Sequence, residues 1–273
     1  MKLRQVAAAI LAVSALATGG VARADLYPDF TVNPAAYGGS NLTSGPFIAD
    51  KITGNYVEII TFGAGTFNIS LYWQAGQFSF NDGTIALPSS GAFGTGLGAN
   101  YGLYALFQGS GTFTTLGTLT SFSLSPGGTL GVYVDHLLDN NPAGVTAPAT
   151  GAGSFTIAGS SNDTLIANGI GVAGNGNVNC GIGSNNCGSF GQTTTFNLLN
   201  PAGTNLFVAP SPFYTLSFQS GQFNGFDVTP STTVVLNGSL DVIFQKVPEP
   251  SSLALVGLAL VGLGASARRS KKV

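Results

Sequence analysis

The chain has 273 residues, and its formal net charge of −2 comes from nine basic and eleven acidic side chains that are unevenly placed. Seven of the basic residues lie in the first 24 or the last six positions, so residues 25–247 hold two lysines against ten acids. Such an acidic body has no basic surface to neutralise phosphates, which excludes nucleic-acid binding.

The beginning of the chain has the three parts of a secretory signal peptide. Lys2 and Arg4 precede an apolar run over residues 6–17, and Ala22 and Ala24 form an A-x-A cleavage site. The apolar run is too short to span a membrane. We therefore predict that residues 1–24 are removed by signal peptidase after Ala24. The alternative is a retained N-terminal anchor.

Residues 25–246 have the alternating pattern and frequent turn residues of short β-strands. Residues 66–74 place one apolar face opposite a polar one, whereas residues 101–108 are apolar on both faces, as in a central strand. Residues 234–244 fit either one bulged strand or a hairpin at Asn237-Gly238. The body is predicted to be an all-β single domain, an antiparallel β-sandwich or jelly roll.

Oxygen-bearing side chains follow one predicted strand. Asp135, Asp139, Asn140 and Asn141 offer the carboxylate and amide oxygens that Ca²⁺ prefers. Their spacing is not that of an EF-hand, so the alternative is a solvated polar turn. No other cofactor is predicted.

Cys180 and Cys187 enclose six residues of a Gly-rich stretch. In an exported chain, two cysteines this close are typical of a disulfide. A zinc site would need two more ligands, and the sole histidine, His136, is distant in sequence.

The side chains used in catalysis are scarce in the body. His136 would have to serve any Ser–His–Asp triad, and Glu58 is the only glutamate before the tail. A G-x-G-x-x-G match at residues 169–174 is not followed by a helical sequence, so it does not indicate a dinucleotide site. We predict that the protein is not an enzyme. The alternative is a secreted hydrolase, which the shortage of His and Glu disfavours.

The end of the chain also has three parts. Residues 247–250 are Val-Pro-Glu-Pro, an apolar run covers residues 253–267, and a basic cluster follows, formed by Arg268, Arg269, Lys271 and Lys272. A helix over the apolar run rises about 22 Å, which is shorter than the ~30 Å hydrocarbon core of a bilayer. Such a helix would hold the chain in the membrane only marginally. The basic cluster is predicted to stay cytoplasmic, which leaves the body outside.

This order resembles the PEP-CTERM sorting signal of Gram-negative bacteria, with Pro248, Glu249 and Pro250 as the sorting motif and residues 247–273 as the whole signal. The resemblance implies recognition by an exosortase, transient insertion of the C-terminal helix in the inner membrane, and export to the cell surface or extracellular matrix. The alternative is a plain C-terminal membrane anchor.

Four blocks of the body are similar to the flocculation-associated PEP-CTERM protein family: residues 49–58, 101–113, 213–226 and 237–244. With the cysteines and the tail, the resemblance implies a non-enzymatic protein that promotes floc or biofilm formation together with exopolysaccharide. It implies no catalytic residues. The second hypothesis is a carbohydrate-binding module with one discrete site, with or without calcium, for which Tyr72, Trp73 and Tyr104 are sugar-stacking candidates. Trp73 shares a face with Phe67, Ile69 and Leu71, which favours core packing for this residue.

Overall fold

The computed structural model describes residues 27–38, 45–91, 94–140, 144–179, 187–226 and 228–245. Antiparallel strands dominate these residues, which confirms the all-β class. The predicted signal peptide with Ala22 and Ala24, the predicted sorting signal from Val247 onward, Cys180 and Asn141 lie outside them.

Strands follow one another with few interruptions in the described part of the chain, where helix is confined to short turns. In chain order the elements are β1 (Phe30–Val32), β2 (Phe47–Ala49), β3 (Lys51–Phe62), β4 (Thr66–Phe80), β5 (Ile85–Ala86), β6 (Gly102–Leu116), β7 (Leu119–Leu124), β8 (Gly127–Asp135), β9 (Val145–Thr146), β10 (Thr156–Ile157), β11 (Thr164–Val178), β12 (Gly188–Thr195), β13 (Asn197–Leu198), α1 (Ala202–Leu206), β14 (Phe207–Ala209), β15 (Leu216–Phe223) and β16 (Thr233–Gln245), with 3₁₀ turns at Pro34–Ala36 and Ser160–Asn162.

The large sheet closes on itself. From β4 the pairing runs through β3, β16, β15 and β12 to β11, which pairs with both β7 and β8. β7 and β8 line the two halves of β6, and β6 returns to β4. The predicted sandwich or jelly roll is therefore not confirmed, because these pairings join the strands into one closed sheet. Closure leaves its long strands with a partner on each side.

Side chains that alternate along the long strands fill the interior of the closed sheet. The apolar face predicted for residues 66–74 is confirmed, since four buried side chains of β4 share it: Phe67, Ile69, Leu71 and Trp73. The indole Nε1 of Trp73 donates to the Leu240 carbonyl at 3.2 Å. Gly54 makes this placement possible, because a Cβ there would lie 2.5 Å from the same nitrogen.

Phenylalanine clusters occupy the two ends of this interior. At one end, Phe30 of β1 contacts Phe78, Phe213 and Phe244, with ring centroids 5.0–6.4 Å apart. At the opposite end of β3 and β4, Phe62 contacts three further rings at 5.3–6.3 Å: Phe113, Phe122 and Phe226. Five of these six pairs are tilted or edge-to-face and one is stacked, and such pairs stabilise a core beyond the area they bury.

A second apolar cluster lies outside the closed sheet, beneath residues 144–163, which we call the covering segment. The outward-facing side chains of Tyr72 and Tyr104 are buried there against Phe155. Gln108 Nε2 donates to the Gly153 carbonyl at 2.6 Å and ties the segment to β6. Tyr72 and Tyr104 are therefore not surfaces for sugar stacking, and that prediction is wrong for both. Trp73 packs in the interior, as its place on the apolar face of residues 66–74 predicted.

The structure also decides three local predictions. β6 pairs on both sides, as predicted for residues 101–108. β16 is one continuous strand without a register shift against β3, so Asn237-Gly238 is not a hairpin turn. Residues 169–174 lie within β11, in agreement with the absence of a helix there. Among the described residues, no helix has the length and apolar character needed to cross a membrane.

Candidate metal centre

Three aspartates from two separate parts of the chain meet beside the covering segment. Asp135 is the last residue of β8, faces Gly102 of β6, and is 4% exposed. Asp139 lies in the loop that follows β8, and Asp163 stands between the Ser160–Asn162 turn and β11. One oxygen from each carboxylate lies within 4.8 Å of the other two.

Hydrogen bonds hold the loop and the turn against each other. Asp135 accepts from the backbone N–H groups of Leu137 at 3.2 Å and Asn140 at 3.1 Å, which fixes the loop after β8. Oδ2 of Asp163 accepts from the Tyr104 hydroxyl and from Nδ2 of Asn140, each at 2.7 Å. The cluster thus connects β6, β8 and the start of β11.

A second hydrogen bond joins the Ser160–Asn162 turn to Asp139 at the exposed end of the cluster. Nδ2 of Asn162 donates to Oδ2 of Asp139 at 2.7 Å. The amide oxygens of Asn140 and Asn162 and Oδ1 of Asp163 are completely buried and have no hydrogen-bond partner. Buried polar atoms are almost always satisfied, so three unsatisfied oxygens around one group of carboxylates require an explanation.

The cluster has no basic side chain to balance its charge. Lys51 is the one Lys or Arg in the part of the chain that the structure describes, and it forms an ion pair with Asp241 at 3.2 Å. His136 follows Asp135, but its Nδ1 is buried without a hydrogen-bond partner. Two like charges about 4 Å apart near a protein surface repel by about 4 kcal/mol, so the arrangement favours a bound cation.

The structure brings together three of the four side chains named for calcium, Asp135, Asp139 and Asn140, whereas Asn141 lies outside the described residues. Sequence reasoning missed Asn162 and Asp163, which come from a turn more than twenty residues further along the chain. The sequence signal at this position is an Asn-Asp pair directly before a strand. The sequence does not indicate which residues lie near that pair in space.

The predicted disulfide stays a prediction. Cys187 directly precedes β12 and is not a free thiol. Its expected partner, Cys180, lies outside the described residues.

A cavity of about 240 Å³ lies on the outer side of the sheet next to the covering segment. Tyr133 forms one wall, and its ring stacks on Tyr104 with centroids 5.1 Å apart. Gln108, Asn168 and Ser70 add amide and hydroxyl groups to the lining. Tyr104 also donates to Asp163, so the stacked pair of Tyr133 and Tyr104 connects this cavity to the aspartate cluster.

Among the residues that the structure describes, one acid points into the interior of the closed sheet. Glu58 points inward from β3, is 5% exposed, and lines a cavity of about 60 Å³ with Gln192 among mostly apolar neighbours. Burial raises the pKa of Glu58 to about 8, because an ionised carboxylate is poorly solvated there.

Comparison with known proteins identifies one segment. Residues 246–269 match the family model described as the PEP-CTERM protein-sorting motif, so the chain carries this sorting signal directly after β16. No curated protein and no solved structure matches the chain. The motif indicates an exosortase-sorted protein exported to the envelope or surface of a Gram-negative bacterium.

Proposed function

We propose that this protein is a non-enzymatic matrix component that promotes cell aggregation, as flocs or biofilm, together with exopolysaccharide. The observation that carries the proposal is the PEP-CTERM sorting motif at the end of a closed, acidic β-domain. Resemblance of four body segments to the flocculation-associated family supports the same role. In this proposal signal peptidase removes residues 1–24, and an exosortase recognises Pro248, Glu249 and Pro250.

The order of elements fits processing at this motif. β16 ends at Gln245, and the matched segment begins at the next residue, so cleavage of the tail removes no strand from the closed sheet. The C-terminal helix would hold the chain in the inner membrane, with Arg268, Arg269, Lys271 and Lys272 in the cytoplasm, until the exosortase acts. The Cys180–Cys187 disulfide would form after export.

Gene deletion with complementation tests this role. We expect the deletion strain to stay planktonic while it still makes exopolysaccharide, and the wild-type gene to restore flocs. A variant with Pro248, Glu249 and Pro250 changed to Ala should keep its tail and fail to restore flocs. The matched control changes Ser251 and Ser252 to Ala and should complement fully. Normal flocs in the deletion strain would overturn the proposal.

A discrete saccharide site is the second candidate, and the 240 Å³ cavity beside Tyr133 favours it. An aromatic ring with neighbouring amide and hydroxyl groups offers both a stacking face and hydrogen bonds to a sugar ring. This candidate moves the stacking role from the buried Tyr72, Trp73 and Tyr104 to Tyr133, which is only partly buried.

Affinity electrophoresis in a gel that contains the cell's own exopolysaccharide tests the saccharide site. We expect the wild-type chain to be retarded, and Tyr133→Ala and Asn168→Ala to lose the retardation. Tyr27→Ala, which changes a tyrosine away from this cavity, is the matched control and should be retarded like wild type. Absence of retardation would remove this candidate but would leave the aggregation role to the gene-deletion experiment.

A further inference from the structure

We propose that Asp135, Asp139 and Asp163 bind one Ca²⁺ together with the side-chain oxygens of Asn140 and Asn162. The proposal concerns a metal site and does not depend on which polysaccharide, if any, the protein contacts. Three features of the cluster carry it: the distances between the carboxylates, the unsatisfied oxygens around them and the uncompensated charge.

The distances fit one shared ion. Calcium binds oxygen at 2.3–2.6 Å, so two oxygens on opposite sides of the same ion are separated by about 4.6–5.2 Å. The oxygens of Asp135, Asp139 and Asp163 all lie within 4.8 Å of one another, which is inside that limit. The pairwise separations are therefore compatible with one shared ion.

The unsatisfied oxygens supply the remaining protein ligands. Oδ1 of Asp163 and the amide oxygens of Asn140 and Asn162 are fully buried and lack a hydrogen-bond partner. Each Asn now turns its Nδ2 toward a carboxylate, 2.7 Å from Asp163 in one case and from Asp139 in the other. Rotation of each amide by 180° exchanges N and O, which turns both oxygens toward the carboxylates, where they could coordinate a cation, and moves each Nδ2 to the place the oxygen now holds.

The ligand chemistry selects calcium among the common metals. Every group in the cluster is a hard oxygen donor, which disfavours the metals that prefer sulfur or imidazole. Five side chains from two connections between strands suit the six to eight ligands and loose geometry of Ca²⁺, whereas Mg²⁺ requires a near-ideal octahedron and keeps several waters. The charge of −3 is balanced by no Lys or Arg of the described chain.

Binding would fasten the covering segment to the closed sheet. Asp135, Asp139 and Asn140 belong to the connection after β8, whereas Asn162 and Asp163 end the covering segment and lead into β11. One ion would thus crosslink both ends of a stretch that covers Tyr72 and Tyr104. Since the unfolded chain lacks the assembled site, binding free energy adds to the stability of the fold.

Calcium titration of the full-length chain tests the site. At constant ionic strength, millimolar Ca²⁺ should raise the thermal midpoint relative to EDTA by several degrees in the wild-type protein. Asp139→Asn, an exposed position with little risk to folding, should lower the calcium affinity about tenfold, because affinity follows the number of charged ligands. Asp163→Asn, which keeps an acceptor for Tyr104, should lower it similarly.

Asp82→Asn is the matched control, because it makes the same chemical change in an exposed turn that contributes nothing to the cluster. It should respond to Ca²⁺ like wild type. The proposal is overturned if Ca²⁺ at about 10 mM, ten times the Kd of the weakest extracellular sites, leaves the wild-type midpoint unchanged. An undiminished response in Asp139→Asn would overturn it as well, because calcium would then bind elsewhere.

Discussion

Glu58 is an acidic side chain that lies in a mostly apolar interior. Its neighbours on β4 and β16 are Leu71 and Leu236, and its carboxyl group faces the interior cavity. Burial raises the pKa to about 8 in the folded protein, above the value of 4.5 that holds for an exposed glutamate. The folded chain therefore keeps a proton that the unfolded chain releases, and rising pH favours unfolding between these two values.

Glu58→Gln should remove this pH dependence. In the wild-type protein, the free energy of unfolding should fall by up to about 1.4 kcal/mol per pH unit between pH 5 and pH 8, because ionisation opposes burial. The glutamine variant has no proton to lose at this position and should lose most of that slope. Urea unfolding at pH 5, 6, 7 and 8 measures the difference.

Glu58→Asp provides the control, because it keeps a carboxyl group at the same position and should keep the fall with pH. If the glutamine variant retains the full wild-type slope, another group is responsible and the raised pKa of Glu58 is wrong.

For single residues, the sequence predicted the properties that depend only on nearby positions in the chain, and it did not predict those that depend on distant segments. Alternation along β4 placed Trp73 and its three neighbours on one face, since the side-chain period of a strand does not depend on its partners. The burial of Tyr72 and Tyr104 was not predictable, because the covering segment that buries them is distant in sequence and has no strong pattern of its own.

At the scale of elements, the covering segment depends on a glycine at its turn. Gly159 has φ of +96°, and a Cβ at this position would lie 2.6 Å from the carbonyl oxygen of Asp139 and 3.1 Å from Oδ1 of Asn140. The segment can approach the aspartate cluster this closely only without a side chain there.

Gly159→Ala should destabilise the protein by about 1–3 kcal/mol, because it combines a strained backbone with a steric conflict. It should also weaken the calcium response, since the conflict pushes the turn away from Asp139. Gly91→Ala is the matched control: Gly91 has φ of +95°, but a Cβ there meets nothing within 4 Å. Chemical denaturation of both variants separates the two effects, and equal losses would contradict the steric argument.

The strands were largely predictable, but their closure was not. Alternating patterns and turn residues located β4, β6 and β16 because those signals are local. Whether β4 pairs with β6 to close the sheet, or stays in one layer of a sandwich, depends on pairing between strands, which alternation does not encode. The metal cluster was half predicted for the same reason: Asp135 and Asp139 are neighbours in sequence, whereas Asp163 reaches them through the pairing of β11 with β8.

At the scale of the whole molecule, the sorting motif predicts where the processed chain ends. Intact-mass analysis of the protein recovered from floc matrix should give a chain that begins at Asp25 and ends near residues 248–252. A chain that retains residues 268–273 would contradict exosortase processing and favour a plain membrane anchor. A mass that retains residues 1–24 would favour the N-terminal anchor instead.

The position of β16 decides how the fold would carry a mechanical load. This strand lies between β3 and β15, antiparallel to both, and it ends at Gln245, just before the sorting motif. A pull applied at Gln245 along the strand would load the hydrogen bonds to β3 and to β15 at the same time. In the aggregation role proposed above, a chain attached at its C-terminus would be loaded along this strand when neighbouring cells are drawn apart, so that these hydrogen bonds would share the force.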